Sequence, residues 1–200
     1  MTMEAHTDRR IRRTRQAIKE AFVALVLEKG YELVTILDVT ERADYNRGTF
    51  YNHFMGKEEL LREIHDEFLR GFAEALLLPY EGMERVEATN IYPSSLQLFE
   101  HVEKHKDEFM ALLSIDKRLG LELVDVLRES MRTDMHIEME KSDPPIDYEI
   151  MLSYRMSAAV GVIMYWAETS FKYSAHYMAE QLLMQVNGRM DYIEFIRHQP

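Results

Sequence analysis

The sequence predicts an all-α protein in two parts, a three-helix unit over residues 1–57 and a larger helical domain over residues 58–200. The first reason is composition. Five Pro and eight Gly in 200 residues, together with 14 Met and 46% hydrophobic residues, favour long helices over strands and turns. The second is period, because apolar residues recur at spacings of three, four and seven along most of the chain. The third is punctuation: helix breakers gather at a few points, around Gly30, Pro79 with Gly82, and Pro144 with Pro145.

Taken in order, Ile11, Ile18, Phe22, Leu25 and Val26 place one apolar stripe on a helix from about residue 8 to 28, with Gly30 as its C-terminal cap. Thr35 followed three residues later by Asp38 is a capping-box pattern, so a short second helix opens there and closes near Ala43. Asp44 and Tyr45 form a tight turn, and Asn46 caps a third short helix, RGTFYNHF. On it Phe50 and Phe54 share one face while Arg47 and Tyr51 share another, so one side packs and the other is free to contact something. Leu60, Ile64, Phe68, Phe72 and Leu76 form the stripe of a long fourth helix that joins the two parts.

Residues 79–92 lack a period and are expected to be a loop. Beyond them the pattern predicts helices near 94–104, 107–114, 119–140, 147–171 and 175–197.

The chain has no cysteine, which excludes disulfides, thiolate metal sites and cysteine nucleophiles. Its basic N-terminus lacks the apolar block of a signal peptide, and the most apolar stretch, 156–167, is shorter than the roughly 20 residues a membrane span needs. A soluble, cytoplasmic protein with no membrane partner is expected. The formal net charge of −11 hides an asymmetry. Residues 1–57 carry ten Lys and Arg against eight Asp and Glu, whereas residues 58–200 carry fourteen against twenty-seven. Arg9, Arg10, Arg12, Arg13 and Arg15 put five cations in seven positions, an electrostatic footprint at one end that reads as a phosphate-contacting surface.

Helix, short helix, tight turn and short helix within about 50 residues is the arrangement that sets a recognition helix in the major groove of DNA. The segment TILDVTERADYNRGTFYNHFMGKEELL, Thr35 to Leu61, resembles the helix-turn-helix signature of the TetR family of bacterial transcriptional regulators. The likeness is strong from about Arg12 to Leu61, and beyond it the all-helical layout matches. It implies that Tyr51, His53 and Lys57 hold phosphates, roles that a phenol, an imidazole N–H and an ammonium can each fill as donors. It also implies that Asn46, Arg47, Gly48 and Thr49 face base edges, with Tyr45 just before them and Thr35 at the start of the second helix completing the set. Arg47 is the strongest reader, since a guanidinium makes paired bonds to guanine worth about 1–3 kcal/mol of discrimination. Asp44 stands where family members commonly have glycine in a left-handed turn, and Leu37 stands where a polar base contact is sometimes found.

Other constellations are weaker. His101 and His105 share i, i+4 spacing, but HVEKH lacks the H-E-x-x-H order, so an exposed pair is expected rather than a metal site. Nucleophile-elbow, dinucleotide and P-loop motifs are missing, so no enzyme activity and no cofactor are expected. Ser153, Ser157 and Gly161 form a small-residue stripe that permits close helix approach. The resemblance implies that the last two helices, about 147–171 and 175–197, pair with their twins in a homodimer matched to a palindromic double-stranded operator. It further implies a pocket for a small-molecule effector, with Phe68, Phe72, Phe99, Phe109, Met110, Tyr154 and Trp166 as candidate lining and plain core packing as the competing reading of each. A ligand-responsive repressor is the leading expectation. The alternatives are an activator of the same fold and a helical protein-interaction module without DNA binding.

Overall fold

A computed structural model of the chain describes residues 3–83, 92–134 and 145–187. Among them are nine α-helices and no strand: α1 (Met3–Lys29), α2 (Ile36–Arg42), α3 (Arg47–Tyr51), α4 (Lys57–Leu77), α5 (Tyr92–Lys104), α6 (Lys106–Ile115), α7 (Leu119–Asp134), α8 (Tyr148–Glu168) and α9 (Ala175–Asn187). The order expected from the periodicity is therefore the order observed. Parts of the expected 79–92 loop and of the 119–140 and 175–197 helices lie outside the described residues.

Each short element has a local cause. In α2, Thr35 and Asp38 form a reciprocal capping box: the Asp38 amide donates to Thr35 Oγ1 at 3.2 Å and the Thr35 amide donates to Asp38 Oδ2 at 2.8 Å. Lys29, and after it Thr35, holds the Asp38 carboxyl well below the usual carboxylate range. The helix stops in a Schellman arrangement, with the Tyr45 amide on the Thr40 carbonyl at 2.9 Å and the Asp44 amide on the Glu41 carbonyl at 3.3 Å. That closure puts Asp44 at φ 58°, so the turn has the left-handed geometry that a glycine would fill without strain. In α3 the Asn46 side chain accepts from the Thr49 amide at 2.8 Å.

Several boundaries and one face differ from the sequence reading. The first helix begins five residues earlier, and Ile11, placed on its apolar stripe, is 42% exposed because that end of α1 projects beyond the packed helices. The third helix ends at Tyr51 rather than Phe54, although the Phe54 amide still reaches the Phe50 carbonyl at 2.9 Å and the two rings meet 5.7 Å apart in the core. The apolar stretch 156–167 lies within helix α8, which at 21 residues is long and apolar enough to cross a membrane by length and composition. Eight of its residues are nonetheless buried in this fold, where it packs on α7 and α9.

The stripe expected on α4, from Leu60 through Leu76, is buried throughout. One continuous hydrophobic core runs from Ile18 and Phe22 of α1, past this stripe, to Phe99, Leu123, Leu127 and Trp166. Each such fully buried large side chain contributes about 1.5–3 kcal/mol from apolar burial. Besides α4, the α1·α6 contact ties the first helix to the C-terminal bundle.

Candidate nucleic-acid interface

Helix α3 presents the division that its sequence promised. Phe50 and Phe54 are almost wholly buried, while Asn46, Arg47 and Gly48 are exposed and Tyr51 is 56% exposed. Asn46 spends its carbonyl oxygen on the cap and on the Thr49 hydroxyl, which leaves its amide N–H groups as donors toward a base edge. The missing side chain at Gly48 keeps this end of the helix slim: a Cβ there would sit 3.2 Å from the Asn46 cap oxygen.

The phosphate-directed residues are placed unequally. Tyr51 is held edge-on against Phe50 at 5.6 Å with much of its ring in solvent. His53 follows the helix in a half-buried turn, where burial and then the nearby Arg15 charge lower its pKa, so at neutral pH it offers a neutral N–H donor. Lys57 departs from the expectation of an outward-pointing cation. Its Nζ donates to the Tyr31 carbonyl at 3.2 Å and the Val34 carbonyl at 3.4 Å, and lies 4.3 Å from the Tyr31 ring centroid. It thus pins the start of α4 to the segment between α1 and α2. Burial, followed by Glu58 and Glu32, raises the pKa of Tyr31 beside it. Thr35 is exposed but occupied, its hydroxyl donating to Asp38 at 2.6 Å, and Tyr45 is half-buried against the core.

The arginine run also divides. Arg9, Arg10, Arg12 and Arg13 lie on exposed turns of α1. Arg15 instead turns inward: it donates to the His53 carbonyl at 2.9 Å, pairs with Glu63 of α4, and stacks its guanidinium 4.4 Å from the Phe54 ring centroid. One turn on, Lys19 is 8% exposed, with its Nζ 2.6 Å from Glu63 and 2.6 Å from Glu67. Burial pushes the Glu63 carboxyl up, but Lys19 and Arg15 outweigh it and hold it below its ordinary range. This α1–α4 seam fixes the reader on the long helix. It was legible as two matched i, i+4 pairs, Arg15 with Lys19 and Glu63 with Glu67, that the sequence reading did not set against one another.

Two descriptions of known proteins match the chain: bacterial regulatory proteins of the tetR family over residues 18–64, and a transcriptional regulator C-terminal region of the same family over residues 89–188. The chain belongs to the TetR family. Among TetR-type relatives, an uncharacterized HTH-type regulator YxbF of Bacillus subtilis is 45% identical over 62 residues, which is 30% of this chain and only 16% of that protein's length. The HTH-type transcriptional repressor KstR2 of Mycobacterium tuberculosis is 25% identical over 189 residues, covering 87% of this chain and 91% of KstR2. A TetR transcriptional regulator from Streptococcus agalactiae shares the fold, with a TM-score of 0.58 at 24% identity over 92% of this chain and 98% of that one. The protein is accordingly a DNA-binding transcriptional regulator, and the relatives are regulators rather than enzymes.

Among the described residues, those expected to line a TetR effector pocket are divided between the core and the surface. Phe72, Phe99, Phe109 and Trp166 are buried side chains of a filled core, and Met110 packs partly against it. Tyr154 is 74% exposed on the far side of α8. Trp166 closes the α8–α9 corner, where Ser170 and Phe171 both have positive φ. Its Nε1 donates to the Tyr173 carbonyl at 2.8 Å and its ring meets Phe171 at 5.0 Å. Phe68 alone of the seven borders a crevice of about 550 Å³ between α1, α4, α5 and α6.

The expected exposed His101 and His105 pair is also different. His101 is half-buried, its ring tilted against His105 at 4.8 Å and against Phe68 at 5.1 Å, with Nε2 on the Phe68 carbonyl at 3.2 Å. Gly71 makes room for it, since a Cβ there would meet the imidazole at 2.6 Å. Among the described residues no group of three His, Cys, Asp or Glu is arranged to hold a metal ion.

Proposed function

We propose that this TetR-family protein is a ligand-responsive repressor that acts in the cytoplasm as a homodimer on a palindromic operator, with its reader in residues 1–57 and its dimerisation and effector functions in residues 58–200. The observation that carries the DNA reading is the exposed side of α3, where Arg47, Gly48 and Tyr51 are turned away from the buried Phe50 and Phe54. Arg47 reads a guanine, the Asn46 amide and Thr49 sit over neighbouring base edges, and Tyr51 and His53 donate to phosphates. Lys57 adds to the phosphate grip by leaving the Tyr31 and Val34 carbonyls, which costs two hydrogen bonds and reduces its net contribution.

The dimer rests on α8. Its inner side is buried, yet Ile150, Tyr154, Ser157, Gly161 and Tyr165 form a continuous exposed stripe on the other side, and nothing lies within 4 Å of the Gly161 Cβ position. A helix that is apolar all round asks for a second partner. An isologous contact across a two-fold axis supplies it and matches operator symmetry. Repression is the sign supported by KstR2, which spans most of this chain.

The test is a fluorescence-anisotropy titration against DNA from the protein's own genomic neighbourhood at several salt concentrations. A steep salt slope with preference for one fragment is expected, and Arg47→Ala should relax discrimination at one base pair by about 1–3 kcal/mol. Equal affinity for every fragment and random DNA would refute the reading. For the dimer, sedimentation at micromolar concentration should give a two-chain species that Tyr154→Lys with Gly161→Glu dissociates.

A further inference from the structure

The crevice between α1, α4, α5 and α6 is the place where an effector can touch the reader and the C-terminal bundle together, and its chemistry is one-sided. Its apolar lining comes from Ile64, Phe68, Ala75 and the exposed Leu78. A volume of about 550 Å³ is in the range of small-molecule sites. Its walls carry four carboxylates, Glu67, Glu74, Glu100 and Glu108, against two ammonium groups, Lys19 and Lys104. Lys19 is already held between Glu63 and Glu67, so its charge is spent within the wall.

The His101 imidazole adds an acceptor rather than charge. Burial first, then His105 and Lys104, lowers the His101 pKa to about 4, which keeps that ring neutral at physiological pH. With Nε2–H donated to the Phe68 carbonyl, its Nδ1 is left as an acceptor. His105 engages Glu108 through Nδ1. An anion entering this space would face an acidic, acceptor-rich wall, whereas an ammonium would find partners on several sides.

Resting on the ligand-responsive reading above, we propose that this crevice is the effector site and that it takes an organic cation, a protonated amine carried on an aryl or alkyl body that lies on Ile64, Phe68 and Leu78. Binding couples to DNA through Glu67. That carboxylate is 47% exposed and holds Lys19 of α1, so an ammonium ligand competes with Lys19 for it and loosens the seam that fixes the reader on α4.

Phenethylamine, protonated at pH 7, is the probe, with 3-phenylpropionate and 2-phenylethanol as anionic and neutral counterparts of similar size. Calorimetric titration of the full chain is expected to show the amine binding at least tenfold more tightly than either counterpart. Glu74→Gln with Glu100→Gln, two exposed positions away from the DNA face, should weaken it at least tenfold while leaving DNA affinity without probe unchanged. Saturating amine should lower affinity for the preferred DNA fragment at least threefold. No binding of the amine, equal binding of its counterparts, or indifference to the double substitution overturns the site. Binding by these rules with unchanged DNA affinity overturns the coupling through Lys19. A different compound that releases DNA while the amine fails to bind refutes the crevice and leaves ligand-responsive regulation standing.

Discussion

Asp44 provides the sharpest separation of backbone strain from charge. Its φ of 58° follows from the Schellman closure of α2, and a residue with a side chain loses about 1–2 kcal/mol in that region, somewhat less when it is Asp. Asp44→Gly removes the strain but returns about 0.4–1 kcal/mol through the greater freedom of the unfolded chain. A net stabilisation of about 0.5 kcal/mol is expected. Asp44→Asn keeps the local tolerance and should be near neutral, while Asp44→Ala should lie about 1 kcal/mol below glycine. For a chain of this size that gap is about 2–4 °C in Tm. Charge acts separately: all three substitutions remove a carboxylate from the DNA-facing end and should tighten DNA binding by about 0.5 kcal/mol, a little over twofold. Denaturant unfolding and anisotropy titration of the four proteins measure both quantities. If alanine proves as stable as glycine, the turn is not strained at this residue and the argument from φ fails.

The remaining expectations concern the seam and the crevice. Folding lowers the His101 pKa to about 4 from its ordinary 6.5, so the unfolded chain binds the extra proton between these values and stability falls as pH drops from 6.5 toward 4. For this half-buried ring the loss at pH 5 is about 1 kcal/mol after allowing for solvent screening, and His101→Gln should remove that part of the pH slope in urea titrations. Gly71→Ala forces a Cβ to within 2.6 Å of the His101 ring and should cost about 1–3 kcal/mol, read as a lower denaturation midpoint with an unchanged m value. Glu63→Gln removes the carboxylate shared by Arg15 and Lys19 and should cost about 1–2 kcal/mol, with hydrogen exchange quickened first in α1; unaltered exchange there would contradict the role given to the seam.

What could be read from the sequence was whatever is encoded locally. Thr35 with Asp38, Asn46 with Thr49, and the Leu60 to Leu76 stripe each act within a few residues, and each stands in the structure as its pattern required. The left-handed turn at Asp44 was legible only through the family resemblance, and helix closure fixes it whatever side chain is present. What escaped was contact between distant segments. Lys57 lies 26 residues from Tyr31 and Arg15 lies 48 from Glu63, and no periodicity says that a cation will prefer a carbonyl or a carboxylate inside the fold to water outside it. The effector residues are hard to place from sequence for a related reason. A large aromatic on an apolar stripe looks alike whether it lines a cavity or fills one, and only the packed neighbours of Phe72, Phe99, Phe109 and Trp166 decide between the two.

The inward turn of Arg15, Lys19 and Lys57 bears on how an acidic protein holds DNA. With Lys29 on Asp38 and Arg42 on Glu28, five of the ten cations in the first 57 residues are engaged within the fold, so phosphate attraction falls chiefly to the exposed arginines of α1, to Arg47, and to hydrogen-bond donors such as Tyr51 and His53, with Lys57 adding to it only when it leaves its carbonyls. The two sets answer differently to salt. Contacts to phosphate weaken steeply as counterions accumulate, whereas a pair as enclosed as Lys19 with Glu63 is screened much less. Raising ionic strength therefore releases DNA from a reader that stays docked, while an ammonium ligand in the crevice releases it by undocking the reader at constant ionic strength. The two routes are distinguishable in one measurement: salt should lower DNA affinity without altering hydrogen exchange in α1, and the ligand should lower affinity while raising exchange there.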